Sequence, residues 1–136
     1  RERALECGAD DVTAPDTPEY KRLLEEGVEY VFETSGNPNA IIDSFRISRE
    51  KVVIFGYYEG EVPVNPAVWF HHNLTIYSNK ALDWGGMRNV EVVIRLFERK
   101  LIDPGKLITH RIRLEEYPHA MKLIAEKKAI KVIIRY

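Results

Sequence analysis

Val28-Glu29-Tyr30-Val31-Phe32-Glu33-Thr34-Ser35-Gly36-Asn37-Pro38 is an apolar run, rich in β-branched and aromatic residues, that stops at an acid and turns at once through small polar residues. Asn37 or Ser35 is placed to cap a helix beginning near Pro38, a first position that suits a residue with fixed φ and no N–H. Strand, tight polar turn and helix N-terminus form the unit with which α/β proteins hold a ligand at the carboxyl end of a strand. Most such units only carry a fold, so the stretch decides architecture first and bears on function only together with its neighbours.

Working outward, Thr17 caps a helix with Pro18 at its first position and Tyr20, Leu23 and Leu24 on its inner stripe, and Gly27 ends it. Before it, Asp11-Val12-Thr13 reads as a short strand, and Arg1 to Cys7 as the last turns of a helix closed by Gly8. Arg1 enters that pattern without a capping residue, as a chain entered in mid-helix would. After Pro38, a helix carries Ile41, Ile42 and Phe45 inward. Lys51 to Gly56 is a nearly all-apolar strand, the pattern of a strand covered on both faces. Tyr57 to Pro66 is a polar, proline-containing excursion, and Leu74 to Ser78 another strand, followed by a loop with Gly85-Gly86. A long helix runs from about Met87 to Lys100 with the stripe Val90, Val93, Ile94 and Phe97. Pro104-Gly105 makes the one clear internal break. Beyond it come a strand (Leu107 to Leu114), a helix (Glu115 to Lys127) and a last strand (Ile130 to Arg135). Strands alternating with helices predict an α/β fold with a mostly parallel, right-handed, doubly wound sheet, followed by a small β-α-β piece.

At 136 residues, 45% of them hydrophobic and 30% charged, the chain suits one globular core, not a disordered or membrane class. No apolar run approaches the roughly 20 residues of a membrane span. The net charge of −1 comes from interspersed signs, which gives nucleic acid no basic face. The single cysteine, Cys7, excludes an intrachain disulfide and fits a reducing compartment; the cytoplasm is the expected location.

The histidines, His71, His72, His110 and His119, have no partner at a zinc spacing, and His71 and His72, read as strand residues, point to opposite faces. Cys7 lacks an adjacent base, and the acyl-transfer and phosphate-cradling motifs are absent. Glu33, at a strand end, reads as a partner for neighbouring backbone or a positive group in preference to a base. The stronger signal is a set of three strand ends, Thr34-Ser35-Gly36, Phe55-Gly56-Tyr57 and Ser78-Asn79-Lys80. In a doubly wound sheet these lie together at the crevice where a flat ligand meets backbone groups.

Laid end to end, several segments resemble the carboxyl-terminal part of the zinc-type medium-chain alcohol and polyol dehydrogenases. They are Gly8-Ala9-Asp10-Asp11-Val12, Gly27 to Gly36, Val52-Val53-Ile54-Phe55-Gly56, Leu74-Thr75-Ile76, Leu101-Ile102-Asp103-Pro104, Leu107-Ile108-Thr109-His110-Arg111 and Ile130 to Ile134. The Ile-Thr-His-Arg stretch favours the sorbitol- and threonine-dehydrogenase-like branches over the quinone reductases.

The resemblance implies that residues 1–103 are the later half of a Rossmann-like dinucleotide-binding domain and 104–136 a return segment of the catalytic domain. It implies nicotinamide contacts at Thr34, Ser35, Gly36, Phe55, Gly56, Tyr57, Ser78 and Lys80, largely through backbone, with Lys131 near the cofactor pyrophosphate. Lysine there keeps the charge of the arginine many members carry and loses its bidentate fork. The implied cofactors are NAD or NADP and, in the parent protein, zinc; the glycine fingerprint, the ribose-binding acid and the zinc ligands are expected upstream of Arg1. With no catalytic residue of its own, the chain is expected to be a fragment, inactive alone, of an enzyme oxidising a small secondary alcohol to a ketone.

Sheet order in such folds leaves Val28 to Glu33 as an open apolar edge and Asp11-Val12-Thr13 without a neighbour. Trp69 and Phe70 read either as core or as the apolar centre of a homo-oligomer, dimer or tetramer. The alternatives in other classes are a non-catalytic binding or scaffold module and a zinc-independent quinone or enoyl reductase fragment.

Overall fold

The computed structural model describes residues 1–78 and 86–136. In chain order the elements are α1 (Glu2–Glu6), α2 (Pro18–Glu26), β1 (Val28–Glu33), α3 (Pro38–Ile47), β2 (Ser48–Ile54), α4 (Pro66–His72), β3 (Thr75–Ser78), α5 (Gly86–Glu98), β4 (Ile108–Arg113), α6 (Tyr117–Ala125) and β5 (Lys131–Arg135). Short 3-10 turns lie at Pro104–Leu107 and Leu114–Glu116. The chain divides into two compact units, Thr13–Gly86, and Arg1–Val12 together with Met87–Tyr136.

In the first unit β1, β2 and β3 form a three-stranded, wholly parallel sheet in that order. Each helix opens on the same device, a polar cap followed by proline. The Thr17 Oγ1 accepts from Tyr20 N, Asn37 Oδ1 from Asn39 N and Asn65 Oδ1 from Ala67 N. The third of these starts α4, which the sequence reading missed at the end of its proline-containing excursion. His71 and His72 are therefore helical, not on a strand, and neighbours on a helix lie about 100° apart instead of on opposite faces.

The register places Val31, Val52 and Ile76 side by side, and α3 lays Ile41 and Phe45 against that face. Ile41, Phe45, Val52 and Leu74 make the buried cluster of this unit, with Ile76 packed against it. Phe45 also stacks on Trp69, ring centroids 6.4 Å apart, while the Trp69 indole N–H donates to the Leu74 carbonyl at 2.8 Å. Arg49 ties two helix ends together: Nη2 donates to Glu25 O at 2.7 Å and Nη1 to Arg46 O at 2.7 Å. A guanidinium among orphan carbonyls at two helix C-termini satisfies both their hydrogen bonding and their dipoles. On the opposite sheet face Tyr30, Phe32 and Tyr77 are exposed, so the both-face covering expected of β2 is not met by the described residues.

Asp11-Val12-Thr13 is not a strand. Val12 N donates to the Asp11 carboxylate at 2.7 Å, and the Thr13 and Thr17 hydroxyls bond at 2.8 Å. Local side-chain bonds stand here in place of a ladder, and no strand among the described residues pairs with this stretch.

In the second unit β4 and β5 pair in parallel, with α6 between them in sequence, which gives the expected β-α-β piece. Ile112 and Ala120 are its buried apolar residues. Thr109 pins the start of β5: its Oγ1 donates to Lys131 O and accepts from Ile130 N. The expected inner stripe of α5, Val90, Val93, Ile94 and Phe97, is not buried but lies about half exposed.

Candidate functional site

The carboxyl ends of β1 and β2 are pressed together by glycine. Gly36 has φ +65, open to glycine at little cost, and a Cβ on it would overlap the Tyr57 carbonyl. A Cβ on Gly56 would overlap the backbone of Gly36 and the Glu33 carboxylate. The turns after the two strands thus touch backbone to backbone, with no room for a side chain.

Glu33 holds both. It is 4% exposed, and its Oε1 accepts from Ser35 N at 2.7 Å, Ser35 Oγ at 2.6 Å and Gly36 N at 3.1 Å. Its main-chain carbonyl takes the N–H groups of Phe55 and Gly56, at 2.8 and 2.9 Å. Burial pushes the Glu33 carboxyl pKa up; the bonds from the Ser35 hydroxyl and from the Ser35 and Gly36 N–H groups pull it down more, and it ends below its ordinary value. The acid at the end of the first strand is therefore a charged anchor for backbone, as read from the sequence.

The donors of the two turns are spent internally. Ser35, Gly36, Asn37, Phe55 and Gly56 all donate their N–H within the unit, leaving Thr34 and Tyr57 N–H free among the described residues. None of the carbonyls of Thr34, Ser35, Gly36, Phe55, Gly56 or Tyr57 accepts a hydrogen bond from a described residue. The pair of turns is rich in acceptors and poor in donors, which suits a ligand group that donates.

Of the residues singled out in the sequence, the structure brings Thr34, Ser35 and Gly36 together with Phe55, Gly56 and Tyr57. Ser78 ends β3 beside Ile54 in the register, so it joins them at the same end of the sheet. Lys80 lies outside the described residues. Lys131 belongs to the other unit, exposed at the first position of β5, where its neighbour in the ladder is Ile108.

A hollow of about 870 Å³ lies in that other unit among Arg111, Arg113, Arg135, Glu115, Glu116 and Tyr136, where opposite charges are mixed. No group of three or more His, Cys, Asp or Glu among the described residues is placed to hold a metal ion. Zinc chemistry therefore has no ligand set in the described residues. The acceptor-rich turns, by contrast, fit a carboxamide.

Parallel strands whose carboxyl-end turns lie against each other give an α/β sheet of the doubly wound kind. The comparisons with known proteins agree. No protein-family model matches the chain. Alcohol dehydrogenase 1 of Tanacetum cinerariifolium is 26% identical over 117 residues, covering 81% of this chain and 30% of that protein. A short chain alcohol dehydrogenase from E. coli CFT073, solved in complex with NADH, superposes with a TM-score of 0.84 at 22% identity, over 99% of this chain and 41% of that one. An alcohol dehydrogenase zinc-binding domain protein from Burkholderia ambifaria gives 0.81 at 18% identity, over 97% and 38%. These relatives and neighbours are alcohol dehydrogenases, hence oxidoreductases, and the fold resemblance read from the sequence holds. The chain spans less than half the length of each protein it matches here.

Proposed function

We propose that this chain contributes part of the cofactor site of an NAD- or NADP-dependent dehydrogenase that interconverts a small secondary alcohol and its ketone. The observation that carries the reading is the acceptor-rich, glycine-closed pair of turns at the ends of β1 and β2. On this reading Thr34, Ser35, Gly36, Phe55, Gly56, Tyr57, Ser78 and Lys80 receive the nicotinamide end, and Lys131 adds positive charge toward the pyrophosphate. Residues 1–103 belong to the dinucleotide-binding part and 104–136 to the catalytic part. Hydride chemistry is the cofactor's own. What these residues do is hold the carboxamide by backbone acceptors and fix the face the ring presents.

Zinc, where the parent enzyme uses it, is held by residues other than those described. The protein acts in the cytoplasm as a homo-oligomer, with Phe70, 83% exposed on α4, among the contacts between copies. A direct test is nicotinamide fluorescence on titration of the protein with NADH and with NADPH. Saturable enhancement with at least one of them is expected. Absence of any change up to about 1 mM, the upper range of ordinary cofactor and substrate constants, overturns the proposal.

A further inference from the structure

Among the described residues Glu33 is the one buried side chain that carries charge. Successive backbone N–H groups in a turn that opens a helix form a concave receptor for anions such as phosphate or carboxylate. In this turn the two that converge, Ser35 N and Gly36 N, are already occupied by the Glu33 carboxylate, with the Ser35 hydroxyl as a third donor at 2.6 Å. The protein has filled its own anion receptor. The same residue's carbonyl takes the Phe55 and Gly56 N–H groups, so one residue engages two N–H groups of each turn. Oε2 lies against Gly56, where a Cβ would meet it at 2.5 Å, which sets the negative charge at the junction of the turns.

We propose that Glu33 is a positioning residue that makes this pair of turns select a hydrogen-bond-donating ligand group and reject an anionic one. The inference rests on the dinucleotide reading and deepens it. A ligand amide finds carbonyls that no described residue engages; a carboxylate of the same shape finds those carbonyls and, behind them, a fixed charge of its own sign. Leaving acceptors unpaired and opposing like charges both weaken binding, and they act together here. Glu33 touches neither cofactor nor substrate. It acts by which way the N–H groups of Ser35 and Gly36 point.

The test compares NAD with nicotinic acid adenine dinucleotide, which differs only by a carboxylate in place of the carboxamide, and with ADP-ribose, which lacks the ring. The wild-type protein should bind NAD tighter than the acid analogue by on the order of tenfold or more. Glu33→Gln should bring the two dinucleotides together and leave ADP-ribose binding unchanged. Equal wild-type affinities for the two dinucleotides would overturn the inference while the dinucleotide reading stands, whatever the variant does. A Glu33→Gln protein that keeps the full preference, or weakens all three ligands alike, also overturns it and assigns Glu33 a purely structural role. If the wild type binds neither dinucleotide, both readings fall.

Discussion

The two faces of the β1–β2–β3 sheet carry similar residues and have opposite fates. On one, Val31, Val52 and Ile76 lie under Ile41 and Phe45 of α3, and Val52 is wholly buried. On the other, Tyr30, Phe32 and Tyr77 face solvent, with the Lys51 ammonium 5.4 Å from the centre of the Tyr30 ring. Parallel sheets are ordinarily covered on both sides, because their crossovers lay helices on both. Here the crossovers within the unit cover one. The contrast teaches that apolar character along a strand reports what a face can accept, and that only the connections decide which face receives it.

The comparison is broken most directly by truncating one aromatic from each side. Phe45→Ala should cost about 3–5 kcal/mol in urea unfolding, since it removes the stacked partner of Trp69 and opens a cavity under the sheet. Phe32→Ala, 69% exposed in the wild type, should stay within about 0.5 kcal/mol. A large loss at Phe32 would mean that something covers the open face in solution.

A smaller effect sharpens the contrast, because Glu33 shares the covered face with Val31, two residues before it. Its carboxyl lies below the ordinary glutamate pKa, so its contribution is complete above that ordinary value and is lost as pH falls through the lowered one. Stability measured against pH should therefore drop on the acid side in the wild type. Glu33→Gln should be less stable at neutral pH, with a flatter acid limb; identical limbs would count against the buried anchor.

A further effect belongs to the helices over that face. Tyr20 donates to Asp43 at 2.7 Å, joining α2 to α3. Burial, then the bond to Asp43 and its charge, push the phenol from 10.0 up to about 12, with Arg46 opposing. A raised pKa stabilises fully below the unfolded value and is lost as pH climbs through the folded one, here between pH 10.0 and about 12. Tyr20→Phe should lose about 1 kcal/mol at neutral pH, and with it that alkaline fall.

Much of this fold was legible because its punctuation is local. Thr17-Pro18 and Asn37-Pro38 announced two helices, and Gly27 the end of the first, through caps that need no tertiary context. Asn65-Pro66 is the same signal, but it closes a stretch with Pro63 and no periodic apolar residues, and α4 was overlooked there. Long-range facts were hidden for a different reason. Nothing near Asp11 says that a strand will find no neighbour, and nothing in Val90, Val93, Ile94 and Phe97 says that a well-formed stripe will lie half exposed. At the site, the glycines and the acid could be picked out by type. The direction of the Ser35 and Gly36 N–H groups could not, because it depends on the burial of Glu33 by residues far along the chain.

Where Gly36 rests on the Tyr57 carbonyl and Gly56 on Gly36, the two turns have no independent freedom. Tyr57 cannot swing outward without uncovering Gly36. Gly36 in turn cannot move without breaking its bonds to Glu33, whose carbonyl holds Gly56. The pair opens together or stays shut, so it has a single lifetime, and a molecule resting on either turn prolongs that lifetime for both.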